Sequence, residues 1–241
     1  MVQRRVVAST IALLVSVLCT SELAAEIGPC TPAHFDFICG SGAGAARAIA
    51  KTISPSRRLA FAWRIANKSP MNRPDDNDPN LENLVIRLED GAVLAKSHGA
   101  YWDLGAKIAK AYLMTAWSPD SGLLAKVEQR ADLASAELFA FAESDAATGP
   151  FDLTKVIEPA VQAKIGGTKR SNSSLVFTAR PPITIDDQGL IHAVVHTRAE
   201  DASDGPTFEV TLKVTRTGDS VDANVVSVTP YASRSISIIV H

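Results

Sequence analysis

Short runs of alternating apolar and polar residues dominate the chain from about residue 54 onward. Residues 59–66 (LAFAWRIA) read as a strand. In residues 83–88, Leu84, Ile86 and Leu88 share one face, with Val85 opposite them if both faces are buried. Asp90-Gly91 is a hairpin turn, because both residues tolerate positive φ, and residues 92–96 return from it. Residues 97–110 are ambiguous between helix and strand. Residues 112–117 and 123–128 form a second hairpin around SPDSG, and residues 136–142 add a further strand.

The pattern changes at Gly149-Pro150. Asp152 is placed to cap a helix. Leu153, Val156, Ile157, Ala160, Val161 and Ile165 then recur at helical spacing. Pro159 interrupts this run, and Gly166-Gly167 ends it. Four strands follow, separated by polar turns at 186–189, 200–205 and 217–220. In the third, Phe208, Val210, Leu212 and Val214 point one way, and Thr207, Glu209, Thr211 and Lys213 the other. That is a half-exposed antiparallel strand. In the fourth, Val221, Ala223 and Val225 share a face before Val226 and Val228 take over, the one-residue shift that a β-bulge produces. The expected class is therefore α+β, mostly β. An open antiparallel blade-like sheet (26–148) precedes a helix and a four-stranded antiparallel sheet (149–241). The order of the second part matches cystatin-like topology, which carries no function by itself.

Before residue 54 the signals differ. Arg4 and Arg5, an apolar run from Val6 to Cys19, and a small polar stretch ending in Ala24 and Ala25 have the order of a secretory signal peptide, residues 1–25. The run is about 14 residues, short of the roughly 20 that cross a bilayer as a helix. An uncleaved anchor is the alternative. Nothing after Ala25 is long and apolar enough to span a membrane. The expected location is the periplasm or the secreted space. Cleavage moves the formal charge from −2 to about −3, which offers no electrostatic reason for nucleic acid as a partner.

Cys30 and Cys39 then face an oxidising compartment, where pairing is expected. Eight intervening residues do not make a C-x-x-C motif, so the bridge reads as structural, stabilising by under about 3 kcal/mol. The Ala-rich stretch from Ala43 reads as a short helix. Gly40, Gly42 and Gly44 imitate a phosphate loop but lack the acidic residue and the βαβ setting of a dinucleotide site.

One repeat is visible. SPSRRLAFAW from Ser54 echoes SPDSGLLAKV from Ser118: Ser-Pro, a polar turn, then a strand. The stretch from Trp117 resembles the W-S-P-D-[GS]-x-x-[LIV] signature of WD-type β-propeller blades, as in periplasmic Tol-like proteins. The intervening NLVIRLEDGAVLAKS resembles the outer hairpin of such a blade. The resemblance covers residues 54–142. A closed propeller needs at least about four blades, and one and a half are found here. It implies an open blade-like sheet; the alternative is turn chemistry that simply recurs.

Candidate chemistry is sparse. The sequence holds no G-x-S-x-G, S-x-x-K or H-E-x-x-H. Asp76, Asp78 and Asn80 have calcium-like spacing, but Leu81 and Arg87 stand where an EF-hand needs Gly and Glu. His192 and His196 would lie about 13 Å apart on one strand, too far to share a metal, and read as exposed or half-exposed. No catalytic residue, metal site or cofactor is expected. Tyr101 and Trp102 with Lys107 nearby form a candidate partner-binding patch, since Tyr and Trp favour interfaces; core packing is the alternative. The resulting expectation is a non-enzymatic exported protein that binds another envelope protein or a small ligand. The rival is a hydrolase whose acidic or histidine groups converge only in space. A deep pocket holding two close Asp, Glu or His side chains would favour the rival.

Overall fold

The computed structural model describes residues 27–75, 78–104, 112–130, 133–165, 174–178, 181–198, 204–218 and 220–231. Residues 1–25, expected from sequence to be a signal peptide, lie outside them, as do Asp76, Lys107 and the C-terminal His241. The fold is α+β and mostly β, with three antiparallel sheets and one α-helix among the described residues.

The first sheet is a six-stranded meander: β1 (Cys30–Ala33), β2 (Asp36–Cys39), β3 (Ala46–Ala48), β4 (Leu59–Ile65), β5 (Leu81–Arg87) and β6 (Val93–Ser97), paired in chain order. The expected Ala-rich helix is absent. Ala46–Ala48 is a strand and Ala50–Thr52 a single 3-10 turn. Gly40, Gly42 and Gly44, all at positive φ, serve the β2–β3 connection, so no helix start stands behind them to receive a phosphate. Alanine's helix preference is small and yields to tertiary packing. Ala46 and Ala48, with Ala60 and Ala62, are fully or almost fully buried on one face of this sheet, beside Cys39, Leu84 and Ile86.

Small side chains on that face let the sheet curl. Residues ahead of β1 reach the far end of the sheet: Ile27 N–H donates to Gly91 O (3.1 Å) and Cys30 N–H to Leu88 O (3.1 Å). Gly91, at φ +71°, makes this possible, since a Cβ there would lie 2.1 Å from Gly28 O. The Cys30–Cys39 disulfide joins β1 to β2 at a directly paired position.

The second sheet is a four-stranded meander: β7 (Tyr112–Trp117), β8 (Leu123–Arg130), β9 (Leu133–Phe141) and β10 (Ala147–Asp152). It is buried on both sides. Leu124, Phe139 and Phe141 pack on Leu59, Phe61, Trp63, Ile65 and Val85 of the first sheet. Leu123, Ala125, Val127, Ala136, Leu138 and Ala140 face the rest of the chain. Each such fully buried Leu or Phe contributes about 1.5–3 kcal/mol.

Helix α1 (Thr154–Ile165) follows. Asp152 Oδ1 accepts the Thr154 N–H at 3.0 Å, the expected capping interaction. Ile157 and Val161 enter the core, and Pro159 lies inside the helix. The third sheet holds β11 (Ser174–Phe177), β12 (Ile183–Ile185), β13 (Leu190–Arg198), β14 (Asp204–Thr217) and β15 (Ser220–Pro230). β11 and β12 pair with successive stretches of β13, so five strands fill four ladder positions. In the β14–β15 ladder Thr211 opposes Ser227 and Leu212 opposes Val225. Val226 is therefore the extra residue of a bulge, and it is exposed. The sequence boundary near residue 148 falls inside β10, and one core joins the second sheet, α1 and the third sheet across it.

The repeated Ser-Pro turns share one geometry. Ser54 Oγ accepts the Leu59 N–H, and Ser118 Oγ the Leu123 N–H. Both serine N–H groups donate to the strand residue five positions on, and both turns place their fourth residue, Arg57 or Ser121, near φ +60°. The turns touch: Ser56 N–H donates to Ser121 Oγ at 2.9 Å. In the second turn Ser118 Oγ and the Gly122 N–H donate to Asp120. The Ser118 bond is the main reason that the Asp120 carboxyl is held below its usual range. A group lowered in the folded state stabilises above its unfolded value, near pH 4, and stops doing so as pH falls through its folded value. The thermal midpoint of Asp120→Asn should therefore decline less steeply than that of wild type between pH 5 and pH 3, by calorimetry. Parallel declines would refute this.

Candidate functional site

Tyr101 and Trp102 do not form a surface patch. Both are buried, at 0% and 1% exposure, between the first two sheets. Asn83 pins this segment, its Nδ2 donating to Tyr101 O and its Oδ1 accepting the Tyr101 N–H. The Tyr101 hydroxyl donates to Asp103 (2.8 Å), and Trp63 Nε1 donates to Asp103 O (3.0 Å). Burial, then Asp103, pushes the Tyr101 phenol far above its usual value. Arg73 covers the Trp102 ring at 5.3 Å. A loop rich in aromatic surface is driven inward when a facing sheet offers apolar area, and here it does. Lys107 lies outside the described residues.

His192 and His196 also differ from one another. His192 is partly exposed and lies between Asp186 (3.2 Å) and Glu209 (3.5 Å), while His196 is buried. Strand β13 has partners on both edges, which leaves its centre little water. Asp78 is buried and accepts from Lys68 Nζ (2.8 Å) and the Asn80 N–H.

A buried charged cluster lies between the first two sheets. On β8, Lys126 and Glu128 occupy the same face as Leu124, and on β9 Glu137 shares a face with buried Phe139. Lys126 is 0% exposed. Its Nζ donates to His98 O (2.7 Å) and Ser97 Oγ (2.9 Å), and lies 3.3 Å from Glu137 and 3.4 Å from Glu128. Phe61 presents its ring 5.6 Å away. Glu137 Oε1 accepts the His98 N–H (3.0 Å) and lies 2.7 Å from His98 Nδ1, and Oε2 accepts from Ser97. His98 itself is exposed at the edge of a cavity of about 700 Å³ that also meets Ser135, Asp152 and Lys155. Two close titratable groups thus line one cavity, but Glu137 spends both oxygens on the protein.

A second cavity, about 810 Å³, opens at one end of the curled first sheet. Its wall is apolar: Phe37, Ile53, Leu88 and the disulfide at Cys30. Its rim carries Arg57, Arg58, Arg87 and Glu89. Arg58 and Arg87 converge on Asp145 (2.5 and 3.3 Å), and Arg87 also grips Asp90 (2.6 Å). Asp90 and then Asp145 raise the Arg87 guanidinium above its ordinary value. Arg57 has no carboxylate partner among the described residues. The cavity draws on segments near residues 30–37, 50–58 and 87–89. No local pattern marks it; the only trace in sequence is the arginine pair inside the first Ser-Pro turn.

Among the described residues no helix is long and apolar enough to cross a membrane, and no group of three or more His, Cys, Asp or Glu is placed to hold a metal ion. A comparison with protein-family models and with curated proteins finds no match to this chain.

Proposed function

We propose that this chain is an exported, non-enzymatic binding protein of the bacterial envelope, holding a small ligand or part of another envelope protein at the mouth of its curled first sheet. The observation that carries the reading is the apolar cavity rimmed by Arg57, Arg58 and Arg87. Ligand pockets are typically concave, mostly apolar and of a few hundred to a thousand Å³, with a few polar groups for orientation. The disulfide in the cavity wall supports an oxidising compartment, periplasmic or secreted. The common geometry of the two Ser-Pro turns supports the likeness of residues 54–142 to blades of periplasmic Tol-like proteins.

Hydrogen exchange tests this reading. Purified mature protein mixed with an envelope extract should gain protection at residues 53–58 and 87–89. Protection confined to other segments, or none, removes it.

One observation favours the rival, a hydrolase. A carboxylate facing His98 Nδ1 orients the ring and leaves Nε2 directed elsewhere, the arrangement of a general base. Ester hydrolysis by the purified protein, abolished in His98→Ala, would replace the binding reading. Unchanged background hydrolysis in both proteins leaves the dyad as a structural link between β9 and the residues after β6.

A further inference from the structure

Resting on the binding reading, we infer that the cavity at the mouth of the first sheet takes a single acyl chain ending in an anionic head, with Arg57 holding the head.

Three observations lead there. First, the wall is aliphatic and aromatic, with Phe37, Ile53, Leu88 and Cys30 packed on the buried alanine face of the sheet behind it. A chain without polar groups is the complement of such a wall, because any polar atom placed there would lose its water without gaining a partner.

Second, the rim is not uniform. Arg58 and Arg87 are committed to Asp145 and Asp90. Arg57 is the exposed guanidinium left over, and it lines the same opening. A planar guanidinium pairs with carboxylate or phosphate oxygens in bidentate fashion. Glu89 sits on the rim as well, and its carboxylate attracts a cationic head where Arg57 attracts an anionic one, so head-group charge is the decisive comparison.

Third, Arg57 occupies a conformation that an arginine does not favour, φ +59°. The matching position of the second turn, Ser121 at φ +62°, is justified by its hydroxyl, which receives the Ser56 N–H. Arg57 makes no such bond. Among the described residues its side chain makes no hydrogen bond or ion pair that offsets the strain, and glycine would be less strained there.

The experiment is titration calorimetry of the disulfide-intact mature protein, below each amphiphile's micelle concentration. The probes are dodecanoate, a dodecyl lysophosphatidate, dodecanol and dodecyltrimethylammonium. Both anions should bind more tightly than dodecanol by about tenfold, the size of one charge-assisted contact. Arg57→Gly should erase that margin while raising the melting temperature, because it relieves the turn. A purely structural arginine could not produce this opposed pair of effects. A preference for dodecanoate over the lysophosphatidate identifies a free fatty acid, and the reverse a lipid phosphate; both uphold the inference. Equal binding of dodecanol and the anions, or tighter binding of the cation, overturns the anionic head yet leaves a ligand cavity. Binding of none of the four overturns the acyl ligand and leaves the hydrogen-exchange experiment to judge the cavity by itself.

Discussion

Lys126→Ala is expected to lower the unfolding free energy by about 3–5 kcal/mol, measured by urea unfolding at pH 7. The ammonium is wholly enclosed and lies against Glu137, Glu128, Ser97 and the carbonyl of His98. Removing it withdraws the counter-charge from two carboxylates that are themselves buried. It also leaves the His98 carbonyl without that donor and opens a void where the aliphatic stem lay. Lys126→Met keeps the stem and isolates the electrostatic part. Pairing it with Glu137→Gln should recover a share of the loss, because the two changes remove opposite charges from one site. A loss below about 1 kcal/mol for the alanine variant would show that solvent reaches the cluster and that these ions do not depend on one another.

Gly91→Ala should cost about 2–4 kcal/mol in the same assay. Two penalties combine. At φ +71° any L side chain is strained, by roughly 1–2 kcal/mol, and the new Cβ would meet Gly28 O at 2.1 Å. That oxygen is backbone and cannot swing aside, so the segment ahead of β1 must lift and the Ile27–Gly91 hydrogen bond must break. Gly42→Ala is the internal control. Its φ is also +71°, but a Cβ there meets nothing within 4 Å. It should show the conformational penalty without the clash. Equal losses for the two variants would mean that the curl does not rely on this close approach.

Strands β4 through β9 and the hairpin at Asp90-Gly91 were legible because their apolar positions alternate between recognisable turns. So was the bulge at Val226, since a one-residue change of face has few other causes. β10 was not, because Gly149-Pro150 reads as punctuation; the chain absorbs it as an irregularity between Thr148 and Phe151. Ala46 and Ala48 suggest a helix by propensity and Ala60 and Ala62 sit in a legible strand, whereas the common role of all four is to be small on one surface. Lys126, Glu128 and Glu137 alternate with apolar residues as a wetted edge would. Only the arrival of the first sheet on that side makes them interior. Tyr101 and Trp102 carried an aromatic signal without direction, and direction comes from whatever packs opposite. The arginine-rimmed cavity gathers from three separated stretches, and no window of sequence contains it.

Because the middle sheet is covered front and back, this polypeptide has no seam. A fragment ending at residue 148 would present Leu123, Ala125, Val127 and Leu138 bare to water and would stop partway through β10. The complementary piece would lack the slab on which its helix and strands rest. Expression trials should therefore carry residues 26–241 together, with tags or insertions confined to the polar turns. Halves produced separately should be insoluble by themselves and regain solubility only when made together.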